Sequence, residues 1–194
     1  MPRPLTFNIP LHPILVMHRR ETDPTARVMA DRTKRQEENF RILVAQLKHE
    51  SIPYRVKAAE ALGHIGDPKA LEPLIACLDD PENDVQWVAA RALGTLKDAR
   101  AASALIAVLG RPDRWVRQGS AWALGELEET RAVEPLSALL SDPKKDVRVT
   151  VAEALGKIGN VRAERALRAA LNDDEPDVRA AARAALRLIG IPPE

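Results

Sequence analysis

The chain has 194 residues, enough for one or two ordinary domains, and its 29 Lys and Arg against 28 Asp and Glu leave a net charge of +1. So even a balance excludes any overall demand for nucleic acid or an anionic membrane. The one cysteine, Cys77, excludes an intramolecular disulfide framework and fits a reducing compartment, and no run of 18 apolar residues is present to cross a membrane.

The chain begins with "PLTFNIPLHPILVMHRR" (4–20), apolar at Leu5, Phe7, Ile9, Leu11, Ile14 and Leu15 but without a helical period, so it reads as extended. Pro4, Pro10 and Pro13 interrupt it, arginines flank it on both sides, and no small-residue cleavage site follows. A signal peptide is therefore not expected, and the reading is a cytoplasmic protein. Residues 1–35 carry net +4 and the remainder net −3. Two roles stay open for the segment: folding back along the rest of the chain, or inserting into a partner as a strand or groove-filling peptide. Asp23-Pro24 reads as the N-cap and first residue of a short helix near 24–35. The charge run "DRTKRQEEN" (31–39) reads as a solvated helix start.

From about Gln36 the chain repeats itself. Ala-Leu recurs at 61–62, 92–93, 123–124, 154–155 and 185–186, a period of 31, and Gly63, Gly94, Gly125 and Gly156 follow the first four. Eight residues before each Leu stand Tyr54, Val85, Val116, Val147 and Val178, each followed by Arg55, Gln86, Arg117, Arg148 or Arg179. A second block shares the period: Leu43/Leu47, Leu74/Leu78, Leu105/Leu109, Leu136/Leu140 and Leu167/Leu171. Each unit is thus predicted to be two helices, the first like "AVEPLSALL" and the second like "VRxxxAxALG", with Pro81, Pro112 and Pro143 in the turns between them. The repeated Gly is expected to take the left-handed conformation that ends the second helix. Val147, Val151, Ala154, Leu155 and Ile158 form one face at 3.6 residues per turn, too much apolar surface for two short helices to bury alone. Stacked pairs would share one continuous core, which predicts an all-α fold, an α-solenoid of about five repeats over 36–190, with an N-terminal extension over 1–35 and a tail over 191–194. Arg183 in a slot held elsewhere by Ala59, Ala90, Ala121 and Ala152, Arg187 in the Gly slot, and Gln46 in the Cys77 slot mark the ends as capping repeats. That slot makes Cys77 core filler rather than a nucleophile.

"DVRVTVAEALGKIG" joined to "AVEPLSALL" resembles the short HEAT-like repeat associated with phycobilisome (bilin) lyases, over roughly 36–190. The resemblance implies that the "VRxxxAxALG" helices line a concave face with the "AVEPL" helices outside. It implies little about function, because such repeats serve many proteins as interaction scaffolds.

All three tryptophans fall on the second helices, at nine (Trp115), six (Trp87) and two (Trp122) residues before the Leu, offsets that share one helix face outside the core stripe. Trp and Arg dominate binding hot spots. The expectation is a partner-binding patch of Trp87, Arg91, Trp115 and Trp122, flanked by Glu60, Glu126, Glu153 and Lys157. The competing expectation is that the indoles only fill grooves between repeats. Arg117, Arg148 and Arg179 are expected to form a structural ladder with turn acids such as Asp113, Asp142, Asp146 and Asp177, not a basic patch.

No catalytic constellation emerges. The four histidines, His12, His18, His49 and His64, make no metal spacing with Cys77, "HE" occurs once at His49-Glu50, and no Gly-rich phosphate loop or nucleophile elbow is present. No metal and no cofactor is expected, and no small-molecule ligand. The leading reading is a non-enzymatic scaffold, adaptor or accessory subunit that binds one or more proteins. A bilin-lyase-like tetrapyrrole handler and a nucleic-acid-binding solenoid are the alternatives, the last opposed by a second-helix face with as many acids as bases.

Overall fold

A computed structural model describes residues 24–193, and all regular structure among them is helical. Leu5, Phe7, Ile9, Leu11, Ile14 and Leu15, and the expected N-cap Asp23, lie outside the described residues. These fall into two units, one ending at Ile42 and the other beginning at Leu43. Helix α1 (Pro24–Gln46) starts where Asp23-Pro24 predicted, yet it runs 23 residues instead of stopping near 35. Its continuation, "QEENFRILVAQ", contains no Gly or Pro and mostly good helix formers, so nothing ends it there.

From Leu43 onward long and short helices alternate. The long ones are α2 (Ile52–Ile65), α4 (Asn83–Leu96), α6 (Arg114–Glu126), α8 (Lys145–Ile158) and α10 (Pro176–Leu188). The short ones are α3 (Leu71–Ala76), α5 (Ala102–Ala107), α7 (Val133–Ala138) and α9 (Glu164–Ala170). Each long helix packs on the next, and each short helix packs on the long helix that follows it. The result is an all-α solenoid of two layers, as the period of 31 predicted.

The core is the repeated stripe. Leu62, Leu93, Leu124, Leu155 and Leu186 of the long helices and Leu74, Leu105, Leu136 and Leu167 of the short ones are completely buried, each worth about 1.5–3 kcal/mol. Val85, Val116, Val147 and Val178 are equally buried, but Tyr54 in the same register is 52% exposed and stacks on His49 at 4.4 Å. Cys77 is buried and unbonded, as expected of core filler. Burial and, less, the Asp80 carboxylate push its thiol up to about 11 against the opposing pull of Arg55.

The repeated glycines do not end the helices. Gly63, Gly94, Gly125 and Gly156 lie inside α2, α4, α6 and α8, and the left-handed residues come three positions later, at Gly66, Lys97, Glu128 and Gly159. A Cβ on Gly63 would come within 2.7 Å of Ala92 Cβ, and one on Gly125 within 2.9 Å of both Ala154 Cα and Cβ. The Ala-Leu-Gly signature is therefore a packing device: the Gly of one long helix receives the Ala of the next, letting the two backbones close together. After each left-handed residue a side chain caps the turn into the short helix. Asp67, Asp98, Glu129 and Asn160 accept N–H bonds from Lys69, Arg100, Arg131 and Arg162.

Arginines lock the register between units. Arg55 Nε donates to Asp80 at 2.9 Å, Arg117 Nε to Asp142 at 2.6 Å, and Arg148 Nε to Asp173 at 2.7 Å, each with Nη2 on the second carboxylate oxygen. In all three the remaining Nη1 donates to carbonyls of the preceding turn. The expected ladder exists, but of its predicted acids only Asp142 is a rung. Asp113 instead caps α6, and Asp146 lies 3.5 Å from Arg114. The reason is spacing: the rung acid stands 25 residues after its arginine, in the next turn, where a fork-shaped guanidinium meets both oxygens.

At the C-terminal end Arg183 and Arg187 are exposed, whereas Ala59, Ala90, Ala121 and Ala152 in the Arg183 slot are completely buried. The polar substitutions sit where a neighbouring unit would otherwise pack.

Candidate functional site

The long-helix layer brings the predicted patch together. Trp87 on α4 and Trp115 on α6 meet with ring centroids 6.2 Å apart. The Arg91 guanidinium lies 5.7 Å from the Trp87 ring and 4.8 Å from the Trp122 ring, bridging the indoles of two successive long helices. Arg114, which the sequence reading did not single out, stacks 4.3 Å over Trp115. Four aromatic and cationic side chains thus run in a continuous row, Trp115–Trp87–Arg91–Trp122. Each stacking contact contributes about 0.5–2 kcal/mol, depending on how far it is desolvated.

The three indoles differ in burial. Trp87 and Trp122 are half-buried because each lies over a glycine of the other's helix. A Cβ on Gly119 of α6 would come within 2.8 Å of Trp87 Cδ1, and one on Gly94 of α4 within 2.8 Å of Trp122 Cζ3. The two rings cover the α4–α6 seam, one from each helix, and Arg91 contacts both. Trp115, by contrast, is 43% exposed. Gly119 was the missed signal, since its slot holds Lys57, Val88, Thr150 and Ala181 in the other copies.

Beside this row a cavity of about 310 Å³ opens between α2 and α4. Val56, Gly63, Val88 and Ala92 line it, Trp87 forms one side, and Glu60, His64 and Arg91 supply polar groups. Among the described residues Arg91 makes no carboxylate ion pair. The predicted flanking charges separate. Lys157 on α8 pairs with Glu126 on α6, while Glu60 and Glu153 are exposed. Glu153 and Lys157 edge a small recess beside Trp122. Among the described residues no group of metal-type ligands gathers around His64, whose Nδ1 lies 2.9 Å from the Glu60 carbonyl oxygen. No helix among the described residues is long and apolar enough to cross a membrane.

Comparison with known proteins follows the architecture. The family model for HEAT repeats matches residues 40–124 and again 103–187. No curated protein matches the chain in sequence. Among solved structures, the complex of CpcE and CpcF of phycocyanin lyase from Nostoc sp. PCC7120 is 28% identical, with a TM-score of 0.71. That match covers 77% of this chain but only 64% of that one, so this chain spans less than two thirds of its length. An engineered protein is 26% identical with a TM-score of 0.64 over 77% of this chain and 80% of its own. A designed armadillo repeat protein in complex with the peptide (KR)4, at 24% identity, shares the fold, with a TM-score of 0.62 over 76% of this chain and 80% of its own. Matched twice across most of its length, and built of the helix pairs that the match implies, this chain belongs to the HEAT repeat family.

Proposed function

We propose that the chain is a non-catalytic interaction scaffold, an adaptor or accessory subunit that grips a protein partner on its long-helix face. The carrying observation is the row Trp115–Trp87–Arg91–Trp122, preorganised by the α4–α6 seam and next to an open groove. Rigid aromatic rings and a stacked arginine cost little entropy to present, and such residues carry most of the energy in protein interfaces. Trp115 and Arg91 are the anchors, and Glu60, Glu126, Glu153 and Lys157 form the polar rim. Leu5, Phe7, Ile9, Leu11, Ile14 and Leu15 supply a second, peptide-like contact to the same assembly. The free, buried cysteine fits a cytoplasmic setting.

The test is co-purification from the native host of the wild-type chain, Trp115→Ala and Arg91→Glu, with thermal melts to establish that both variants fold. A near-stoichiometric protein retained by wild type and lost from both variants is the expected result. Equal retention by all three removes this face from the interaction.

A second reading rests on the 28% likeness to the phycocyanin lyase proteins: handling of an open-chain tetrapyrrole against the tryptophan row. Induced visible absorbance on mixing with a bilin, lost in Trp115→Ala, would favour it over the scaffold.

A further inference from the structure

The three filled rungs follow one design. The arginine Nη1 is pinned by carbonyls of its own turn, and the Nε–Nη2 edge takes both oxygens of an aspartate from the next unit. That aspartate also accepts the backbone N–H two residues on: Glu82 onto Asp80 at 3.0 Å, Lys144 onto Asp142 at 2.8 Å, and Glu175 onto Asp173 at 2.9 Å.

Arg179 on α10 is the half-built member of the series. Its Nη1 donates to the carbonyls of Asp173 and Asp174 at 2.6 and 2.9 Å, the same anchoring as in the filled rungs. Among the described residues its Nε–Nη2 edge meets no carboxylate. Arg183 and Arg187 follow at four-residue steps on the same stripe, exposed and likewise without an ion pair among the described residues. Leu188, 66% exposed, lies beside them. The two arginines stand where the inner copies have the Ala and Gly against which the next unit packs.

We infer that this end face is a docking surface for a partner protein presenting an acidic turn, with an aspartate of that turn closing the open rung on Arg179. Charge complementarity selects the occupant: three arginines that meet no carboxylate among the described residues call for acidic groups, and a guanidinium anchored by Nη1 presents an Nε–Nη2 edge that matches a carboxylate in two-point contact. The molecule's own rungs supply the geometry. The surface is separate from the tryptophan row and does not depend on its role.

The probe is a synthetic peptide copying this chain's own acidic turn, "NDDEPDV" (172–178), titrated into the full-length protein. The readout is the Nε–H NMR cross-peak of Arg179, assigned by its loss in Arg179→Lys. A saturable shift is expected. It should weaken by about fivefold or more when the peptide carries Asp173→Asn, or when the protein carries Arg183→Ala and Arg187→Ala, about 1 kcal/mol or more of binding. Those two side chains are exposed, so their loss leaves the fold intact. No shift with the peptide, or equal shifts with both peptides, overturns the inference. So does a shift produced only by oligothymidylate or by phosphatidylglycerol vesicles, since either would make the surface a phosphate binder.

Discussion

Arg117 on α6 holds Asp142 in a two-point grip, Nε at 2.6 Å and Nη2 at 3.0 Å, with the carboxylate 2% exposed. The one position where the ladder lacks an arginine is Gln86, and the residue 25 places on, where the acid should stand, is Arg111. Both members of that rung have changed together. Gln86 donates to the Asp80 carbonyl at 2.7 Å, keeping the turn contact, while Arg111 turns to Asp79 at 2.5 Å. Arg117→Ala leaves Asp142 buried without its partner and should cost about 3–5 kcal/mol in urea unfolding. Gln86→Arg alone would set one guanidinium against another. Combined with Arg111→Asp it should rebuild the rung, with a favourable coupling of about 1–3 kcal/mol in a double-mutant cycle. Strict additivity would show that the two positions do not meet.

The glycines give a prediction of opposite sign to helix propensity. Alanine is the better helix former by about 1 kcal/mol. Yet a Cβ on Gly125 meets Ala154 backbone and side chain at 2.9 Å, and forcing α6 and α8 apart costs about 1–3 kcal/mol. Gly125→Ala should therefore lower the urea midpoint. Gly110→Ala, where a Cβ meets nothing within 4 Å, should leave it nearly unchanged. A raised midpoint for Gly125→Ala would mean that the long helices are less tightly seated.

Acid should loosen the last filled rung. The hydrogen bond from Arg148 holds the Asp173 carboxyl below the usual carboxylate range, against burial, which pushes it up. A carboxyl depressed in the folded state contributes stability that is complete above its unfolded value, about 3.9, and is lost as pH falls through the folded value. Urea midpoints followed from neutrality into acid should fall below about pH 4 for wild type. In Asp173→Asn the neutral midpoint should be lower and the acid decline shallower. Parallel curves for the two proteins would remove the rung from the acid response.

Cys77 should report opening of the core. With its thiol pushed up to about 11 by burial, only roughly a thousandth is thiolate at pH 8, and the side chain is shielded as well. Labelling by an aromatic disulfide reagent should be slow in buffer and accelerate with urea in step with unfolding. Labelling in buffer at the rate of a free thiol would show that the unit around α3 opens locally.

Much of this molecule was legible in the chain itself. The 31-residue period fixes which residues form helices and which face of each is apolar, because every unit must present the same stripe to its neighbours. The exposed Arg183 and Arg187 and the burial of Cys77 were legible for the same reason: a residue is judged against its counterparts in the other copies. What the repeat could not convey was which atoms meet across a seam. The Ala-Leu-Gly glycine looks like a helix stop in sequence, and only the approach of α4 to α2 and α8 to α6 reveals it as a socket. Trp87 and Trp122 share a helix face by counting, but their reciprocal placement over Gly119 and Gly94, with Arg91 contacting both, arises from the lateral stacking of two helices. Of the rung acids only Asp142 was legible, since Asp80 and Asp173 are chosen by a contact spanning 25 residues. Periodicity determines which side chains leave a helix on the same side. Packing distance between helices decides which of them touch.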